Sequence, residues 1–316
     1  MRILLTGLTG YIGKRLLPVL LENGHEVISL VRDTTRVQEN LLTLDNHHVI
    51  EGDLLQPDSL INIPDNIDIA YYLVHSMSAT LKGFQDLEER SAINFLGAIE
   101  QCGVRQIIYL SGISNSDRLS SHLESRKSVE QILEKSAIPV TILRAGIIVG
   151  SGSASFEIIR DLVEKLPVMV TPKWLNTRCQ PIAIRNVIGY LNGVIGKEET
   201  YDQTFDIGGE EILTYKQMLL KFAEVRKLKR WIYTLPVMTP RLSSYWLYFI
   251  TSTSYNLAVN LVNSMKIEVV TAENRIRDIV QLDLIDYSTS IQLAFERMEQ
   301  NLVLSSWKDE IGRAHV

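Results

Sequence analysis

Short apolar runs alternate along the first half of the chain with stretches in which apolar side chains recur every three or four residues. Residues 2–5, 26–31, 48–51, 67–73, 106–110 and 140–143 are the short runs, rich in Val, Ile and Leu, as strands buried on both faces of a parallel sheet must be. Residues 13–22 read as a helix ended by Asn23-Gly24. Phe84, Leu87, Phe95, Ala98, Ile99 and Cys102 share one helical face that Gly103 terminates, and a further helix runs from about residue 123 to 135. Six strands with five intervening segments predict an α/β architecture, a doubly wound parallel sheet of Rossmann type.

After Gly150-Ser151-Gly152 the regularity loosens. Helical and extended segments mix with Pro167, Pro172, Pro181, Pro236 and Pro240, which predicts a smaller C-terminal α+β lobe. The expected division is a nucleotide domain over 1–149, to which later segments can return, and a substrate-side lobe over 150–310. Leu242, Tyr245, Trp246, Phe249 and Ile250 form an apolar stripe at helical spacing, and Ile291, Ala294, Phe295, Met298 and Leu302 form another. Core packing is the plain reading of both, and a partner-binding face is the other. Residues 311–316 (IGRAHV) follow a polar stretch without periodicity and match one reading frame of a sequencing adapter, so they are expected to be a non-native tail on a chain that naturally continues.

The composition narrows the function classes. At 316 residues the length suits one large α/β unit or two unequal lobes, and 46% apolar with 22% charged residues is ordinary for a folded protein. The net charge is −5 and no Lys/Arg run dominates, so a grip on nucleic-acid phosphates is not expected. Cys102 and Cys179 lie outside any CxxC or Cys/His pattern, so neither a disulfide framework nor a metal site is expected. The most apolar segment, 245–250 (YWLYFI), is far short of the roughly 18 residues a span needs, and the expected location is the cytoplasm.

The candidate chemistry starts at Thr6-Gly7-Leu8-Thr9-Gly10-Tyr11-Ile12-Gly13, which leaves the first strand and opens the first helix. Gly7 permits a tight turn, Gly10 lets backbone approach a diphosphate, and Gly13 lets helix and strand pack closely. The N–H groups around Thr9, Tyr11 and Ile12 would then face the anion. An ordinary strand-to-helix loop is the alternative. Arg32 ends the second strand, where an acid would hold a ribose 2′-hydroxyl. A guanidinium suits a 2′-phosphate, so NADP(H) is favoured over NAD(H). Asp33 beside it argues the other way, and a solvated surface arginine is the plain alternative.

The GxxGxxG spacing, together with 52–54 (GDL), 71–77 (YYLVHSM), 108–113 (IYLSGI), 143–146 (LRAG) and 205–209 (FDIGG), resembles the atypical, NmrA-like and epimerase-like branch of the short-chain dehydrogenases/reductases. The similarity runs from Met1 to about residue 310. It implies that Asp53 and Leu54 meet the adenine, although an Asx turn ahead of Pro57 would explain the aspartate as well. It also implies that Val74, His75 and Ser76 pass the nicotinamide ribose and that Gly146 passes the carboxamide.

Active members of that family use a serine and a Tyr-x-x-x-Lys pair. Here the alignment puts His122 at the tyrosine position and Arg126 at the lysine position. Arginine keeps the charge and can bind ribose hydroxyls, but it cannot relay a proton near neutral pH. Histidine, with an ordinary pKa of about 6.5, can act as general acid or base, or it can simply cap a helix. Lys127 points about 100° away around the helix. Ser111 and Ser114 are candidate hydroxyl donors, Tyr72 and His75 candidate substitutes for the missing acid, and Asn94 a supporting amide. The expected activity is NAD(P)(H)-dependent oxidation or reduction of a small carbonyl or alcohol. The alternative is a non-catalytic NADP(H)-binding sensor or regulatory scaffold. No residue pattern names the substrate.

Overall fold

The computed structural model describes residues 1–74, 84–113, 121–235 and 265–299. The first predicted apolar stripe and the 311–316 tail lie outside these residues.

Thirteen strands occur among the described residues: β1 (Arg2–Thr6), β2 (Glu26–Val31), β3 (His47–Glu51), β4 (Ile69–Tyr72), β5 (Gln106–Gly112), β6 (Val140–Ala145), β7 (Ile148–Val149), β8 (Val168–Pro172), β9 (Arg178–Cys179), β10 (Ile182–Ala183), β11 (Gln203–Ile207), β12 (Leu213–Thr214) and β13 (Trp231–Leu235). The helices are α1 (Gly13–Glu22), α2 (Glu39–Leu42), α3 (Phe84–Ile99), α4 (Ser121–Leu133), α5 (Ala154–Lys165), α6 (Ile184–Gly193), α7 (Tyr215–Val225), α8 (Ile276–Ile279) and α9 (Tyr287–Glu299).

The central sheet has seven strands in the order β11-β6-β5-β4-β1-β2-β3, every pair parallel. Ile3, Leu4 and Leu5 show why apolar runs form it, since all three are fully buried although successive side chains point to opposite faces. One face carries α1 and α6 over Leu16, Leu17, Leu20, Val187 and Leu191. The other carries α3 and α4 over Phe95, Ile99, Val129 and Leu133.

Six strands are expected from the sequence and the sheet has seven. The extra one, β11, returns after a long excursion and pairs with β6 from Gln203↔Thr141 to Ile207↔Ala145. It covers an edge whose unpaired N–H and C=O groups would otherwise face solvent. The ends of other elements shift slightly. β4 is shorter than the 67–73 run, α3 stops at Ile99 rather than Cys102, and α4 starts at Ser121.

A second core lies beyond the sheet, where α5 and α7 bury Phe156 and Phe222 and α9 packs the half-buried Phe295 against them, with ring centroids 5.4–5.7 Å apart. Ile291, Ala294, Phe295 and Met298 of the second predicted stripe belong to it, as the core-packing reading requires. Ser153 caps α5 by accepting from Phe156 N–H, and Thr214 with Gln217 forms a capping box on α7. β8 and β13 add a parallel two-stranded ribbon. No described helix is long and apolar enough to cross a membrane.

Candidate functional site

The chain reverses its winding between β1 and β4, so their carboxyl ends flank the crevice where open α/β sheets place ligands. Thr6 fixes that crevice. Its buried hydroxyl donates to Tyr71 O at 2.9 Å and accepts Leu73 N–H at 3.0 Å, tying the two strand ends together. Gly7 follows with φ +76°, and a β-carbon there would stand 2.6 Å from Leu73 O. Sterics and backbone conformation both require glycine. A β-carbon on Gly13 would collide with the Gly7 carbonyl and stand 2.8 Å from Leu8 Cα. Gly10 closes the turn by donating to Gly7 O at 3.0 Å. Apart from its chain neighbours, that carbonyl oxygen is the only atom among the described residues within 4 Å of where a Gly10 β-carbon would be, so the loop is open on its outer side.

No side chain caps α1. The N–H groups of Tyr11, Ile12 and Gly13 make no hydrogen bond among the described residues. Thr9 is half-buried on the same turn. Tyr11 anchors the loop from behind. Its ring lies under Arg15, whose guanidinium carbon is 3.8 Å from the ring centroid and which donates to Tyr11 O at 2.9 Å and Ser151 O at 2.8 Å. The Tyr11 hydroxyl is buried and makes no hydrogen bond among the described residues, with Ser153 nearby bonded to Ile148 O and Phe156 N–H. Burial pushes its pKa up to about 12.

At the end of β2, Arg32 is exposed and has no partner among the described residues. Asp33 is occupied. Its carboxylate accepts Thr35 Oγ1 at 2.6 Å and Thr35 N–H at 2.9 Å, and pairs with Arg36 at 3.2 Å. These Thr35 bonds, helped by Arg36, hold its pKa below the usual carboxylate range. At the end of β3, Asp53 Oδ1 accepts Leu55 N–H at 2.9 Å, so the Asx turn anticipated as the plain alternative is present. Leu54 is buried, and its carbonyl accepts Asn94 Nδ2 of α3 at 2.6 Å.

Across the switch point, Val74 is exposed beyond β4, while His75 and Ser76 lie outside the described residues. Tyr72 turns inward and is 1% exposed, its ring 4.9 Å from Phe95 and 5.8 Å from Tyr109. It cannot serve a substrate from there. Ser111, near the end of β5, is 1% exposed, and its hydroxyl makes no hydrogen bond among the described residues. Burial pushes the neighbouring Tyr109 phenol well up, against a smaller opposing effect of the Arg126 charge. Arg126 of α4 donates to Leu110 O at 3.3 Å, which places its guanidinium against the strand end, whereas Lys127 is exposed. His122 lies in the first turn of α4 with its side chain outside the described residues, as is Ser114 altogether. Gly146 follows β6, and a β-carbon there would stand 2.5 Å from Gln180 O.

The comparisons with known proteins meet this geometry. Residues 7–165, half of the chain, match the family model described as NAD(P)H-binding. The chain belongs to that NAD(P)H-binding family. It is 22% identical over 223 residues to divinyl chlorophyllide a 8-vinyl-reductase of Arabidopsis thaliana, covering 66% of this chain and 53% of that protein. It is 23% identical over 212 residues to photosystem II assembly factor Ycf39 of Trieres chinensis, covering 67% and 65%. The alignments thus span between half and two thirds of these relatives. Among solved structures, a nucleoside-diphosphate-sugar epimerase from Staphylococcus aureus superposes with TM-score 0.74 at 16% identity, over 92% of this chain and all of the other. The UDP-glucuronic acid 4-epimerase from Bacillus cereus superposes with TM-score 0.71 at 16% identity, over 95% of this chain. At these identities the superpositions establish a shared fold.

The crevice at the strand ends has attributes that suit a dinucleotide: an uncapped helix terminus and a second-strand guanidinium whose N–H groups have no partner among the described residues, and a glycine turn open on its outer side. Sequence reasoning undervalued Asn94, which ties the loop after β3 to α3 across 40 positions of sequence. An asparagine inside an otherwise apolar-faced helix was the one available signal. A cleft of about 310 Å³ lies elsewhere, lined by Lys14, Pro18, Leu21, Glu22, Gln38 and Leu41 beside α1 and α2, away from the strand ends.

Proposed function

We propose that the chain is an NADP(H)-binding oxidoreductase of the atypical short-chain type, acting on a small carbonyl or alcohol. The observation that carries the cofactor choice is the pairing at the end of β2: Arg32 has no partner among the described residues, while the competing acid, Asp33, is consumed by its own turn. An exposed guanidinium accepts a 2′-phosphate through charge-assisted bonds, and an acid already hydrogen-bonded three times repels it less. In this reading the turn from Gly7 to Gly13 and the start of α1 hold the diphosphate. Asp53 through its second oxygen, with Leu54, borders the adenine, and Val74, Arg126 and Gly146 border the nicotinamide end. When bound, the cofactor supplies or accepts the hydride. The chain's own contribution is to orient that ring and to hold a proton for the substrate oxygen, with His122 as the acid or base and Ser111 or Ser114 as hydroxyl donor.

A second reading has a specific observation behind it. His122 and Arg126 replace the tyrosine and lysine, and Ser111 is sealed from solvent, features that favour an NADP(H)-binding sensor without turnover.

Titration with NADPH and NADH tests the first step. Arg32→Ala is expected to weaken NADPH binding on the order of tenfold or more, since a hydrogen bond to a charged group contributes about 1.5–3 kcal/mol, and to leave NADH unchanged. Equal losses for both would remove Arg32 from the assignment. A panel of quinones, aldehydes and ketones with His122→Ala alongside then separates the readings. Turnover lost in the variant with binding kept supports the enzyme, and binding without turnover across the panel supports the sensor.

A further inference from the structure

We propose that the outer face of the β8–β13 ribbon is a peripheral docking surface for a bilayer containing anionic lipids. A two-stranded ribbon resting on a core should alternate apolar inward with polar outward. The inward side obeys, with Met169 and Thr171 fully buried and Ile232 half-buried against the second core. The outward side does not. Its positions are Val168, Val170, Trp231 and Tyr233, which are 49, 42, 54 and 60% exposed. The parallel register sets Trp231 beside Val168 and Tyr233 beside Val170, so the four form one continuous patch. Tryptophan and tyrosine carry an apolar body with a polar tip, which suits the boundary between headgroups and acyl chains.

Charge surrounds the patch asymmetrically. Arg226-Lys227-Leu228-Lys229-Arg230 runs directly into Trp231, a basic cluster that the chain's overall charge of −5 conceals. Arg226 is spoken for by Glu164, and Arg230 lies on the Val163 and Glu164 carbonyls at the end of α5, fixing the strand to the helix. Lys227 and Lys229 are exposed with no partner among the described residues, as is Lys173 just past β8. Between Glu224 and the end of β13 at Leu235 no Asp or Glu occurs, whereas four Lys and Arg do. Lys227 is also held at φ +55°, immediately after α7, where Leu228 N–H reaches back to Ala223 O at 2.8 Å. Glycine is the less strained choice at such a helix end, so the lysine carries a local conformational cost.

An apolar, aromatic patch on strands that exposed lysines lead into and follow matches the two contributions that hold a protein on a bilayer: shallow insertion and attraction to anionic headgroups. Valines offer nothing to a nucleic-acid backbone. A second copy docked on the same face would oppose lysines with lysines.

The test is co-sedimentation of the full chain with vesicles of phosphatidylcholine alone and of equimolar phosphatidylcholine and phosphatidylglycerol. Binding is expected only to the anionic vesicles, and to weaken as salt is raised. Lys227→Gln and Lys229→Gln are each expected to lower it about fivefold, and Trp231→Ser combined with Tyr233→Ser about tenfold. NADPH affinity should not change in any of them. Lys227→Gly should raise the melting temperature while lowering vesicle binding, which a purely structural role for the lysine would not produce. Absence of binding, equal binding to neutral vesicles, or variants that bind like the wild type would overturn the proposal. So would a dimer in sedimentation velocity, or retention of single-stranded DNA, that Trp231→Ser abolishes.

Discussion

Gly13→Ala separates glycine needed for space from glycine that is merely present. A β-carbon at position 13 would stand 2.8 Å from Leu8 Cα and collide with the Gly7 carbonyl. Non-bonded carbons rest about 3.5–4.0 Å apart, so the loop or α1 must retreat by roughly 0.7 Å or more. Overpacking of this kind costs about 1–3 kcal/mol, against a gain in helix propensity of at most about 1 kcal/mol. Both clashing groups are backbone, which cannot swing aside, so the upper part of that range, about 2–3 kcal/mol, applies and the net is a loss of about 1–2 kcal/mol. An unfolding entropy near 2.1 cal/mol/K per residue over 316 residues makes each kcal/mol worth about 1.5 °C, so the melting temperature should fall by about 2–3 °C. The displaced turn should also weaken NADPH binding by on the order of tenfold. Gly97→Ala is the control. Gly97 is exposed within α3 and, its own helix backbone aside, nothing among the described residues lies within 4 Å of its β-carbon position, so alanine should stabilise by about 0.5–1 kcal/mol and leave binding untouched. The assays are thermal unfolding by circular dichroism and nucleotide titration. Gly13→Ala behaving like Gly97→Ala would refute the close approach of α1 to the turn.

Further outcomes follow from buried groups. His47 is buried between Ser29 Oγ at 2.9 Å and Leu41 O at 2.6 Å, and burial, with His48 acting the same way, holds its pKa below 6.5. The unfolded chain therefore binds the proton more readily, so stability should be full above about pH 6.5 and decline as pH falls from there towards the folded-state pKa. Urea unfolding across pH 5–7 (about that window) should show the slope, and His47→Gln should flatten it. Glu130 is 3% exposed and bonded to Arg144 Nε at 3.0 and 3.2 Å. Arg144→Met should cost about 3–5 kcal/mol by leaving that carboxylate buried without a cation. Glu130→Gln should cost less, because Arg144 is partly exposed; equal losses in urea unfolding would contradict this.

The strands of the sheet were legible because each is buried on both faces, which leaves runs such as Ile3-Leu4-Leu5 with no polar alternation. β11 was not, because an edge strand with half-buried Gln203, Thr204 and Asp206 carries a weaker apolar signal and sits some sixty positions beyond its partner (roughly a lobe's length). The glycine turn was legible from its place between strand and helix. Asp53 shows where sequence stops, since an Asx turn and an adenine contact call for the same residue, and one carboxylate oxygen serves the turn while leaving the other free. Tyr72 was misplaced by strand parity: it sits near the ligand edge, but its side chain faces α3. The basic approach to Trp231 was hidden by an acidic total, and only exposure at the ribbon gives it meaning.

The most direct measurement is a fluorescence titration of the purified chain with NADPH, repeated in the presence of 2′-phosphoadenosine 5′-phosphate. A turn that cradles a diphosphate beside an unpaired Arg32 predicts saturable binding that the phosphorylated adenosine competes away and that NADH matches only weakly. No saturable signal with either nucleotide would contradict it.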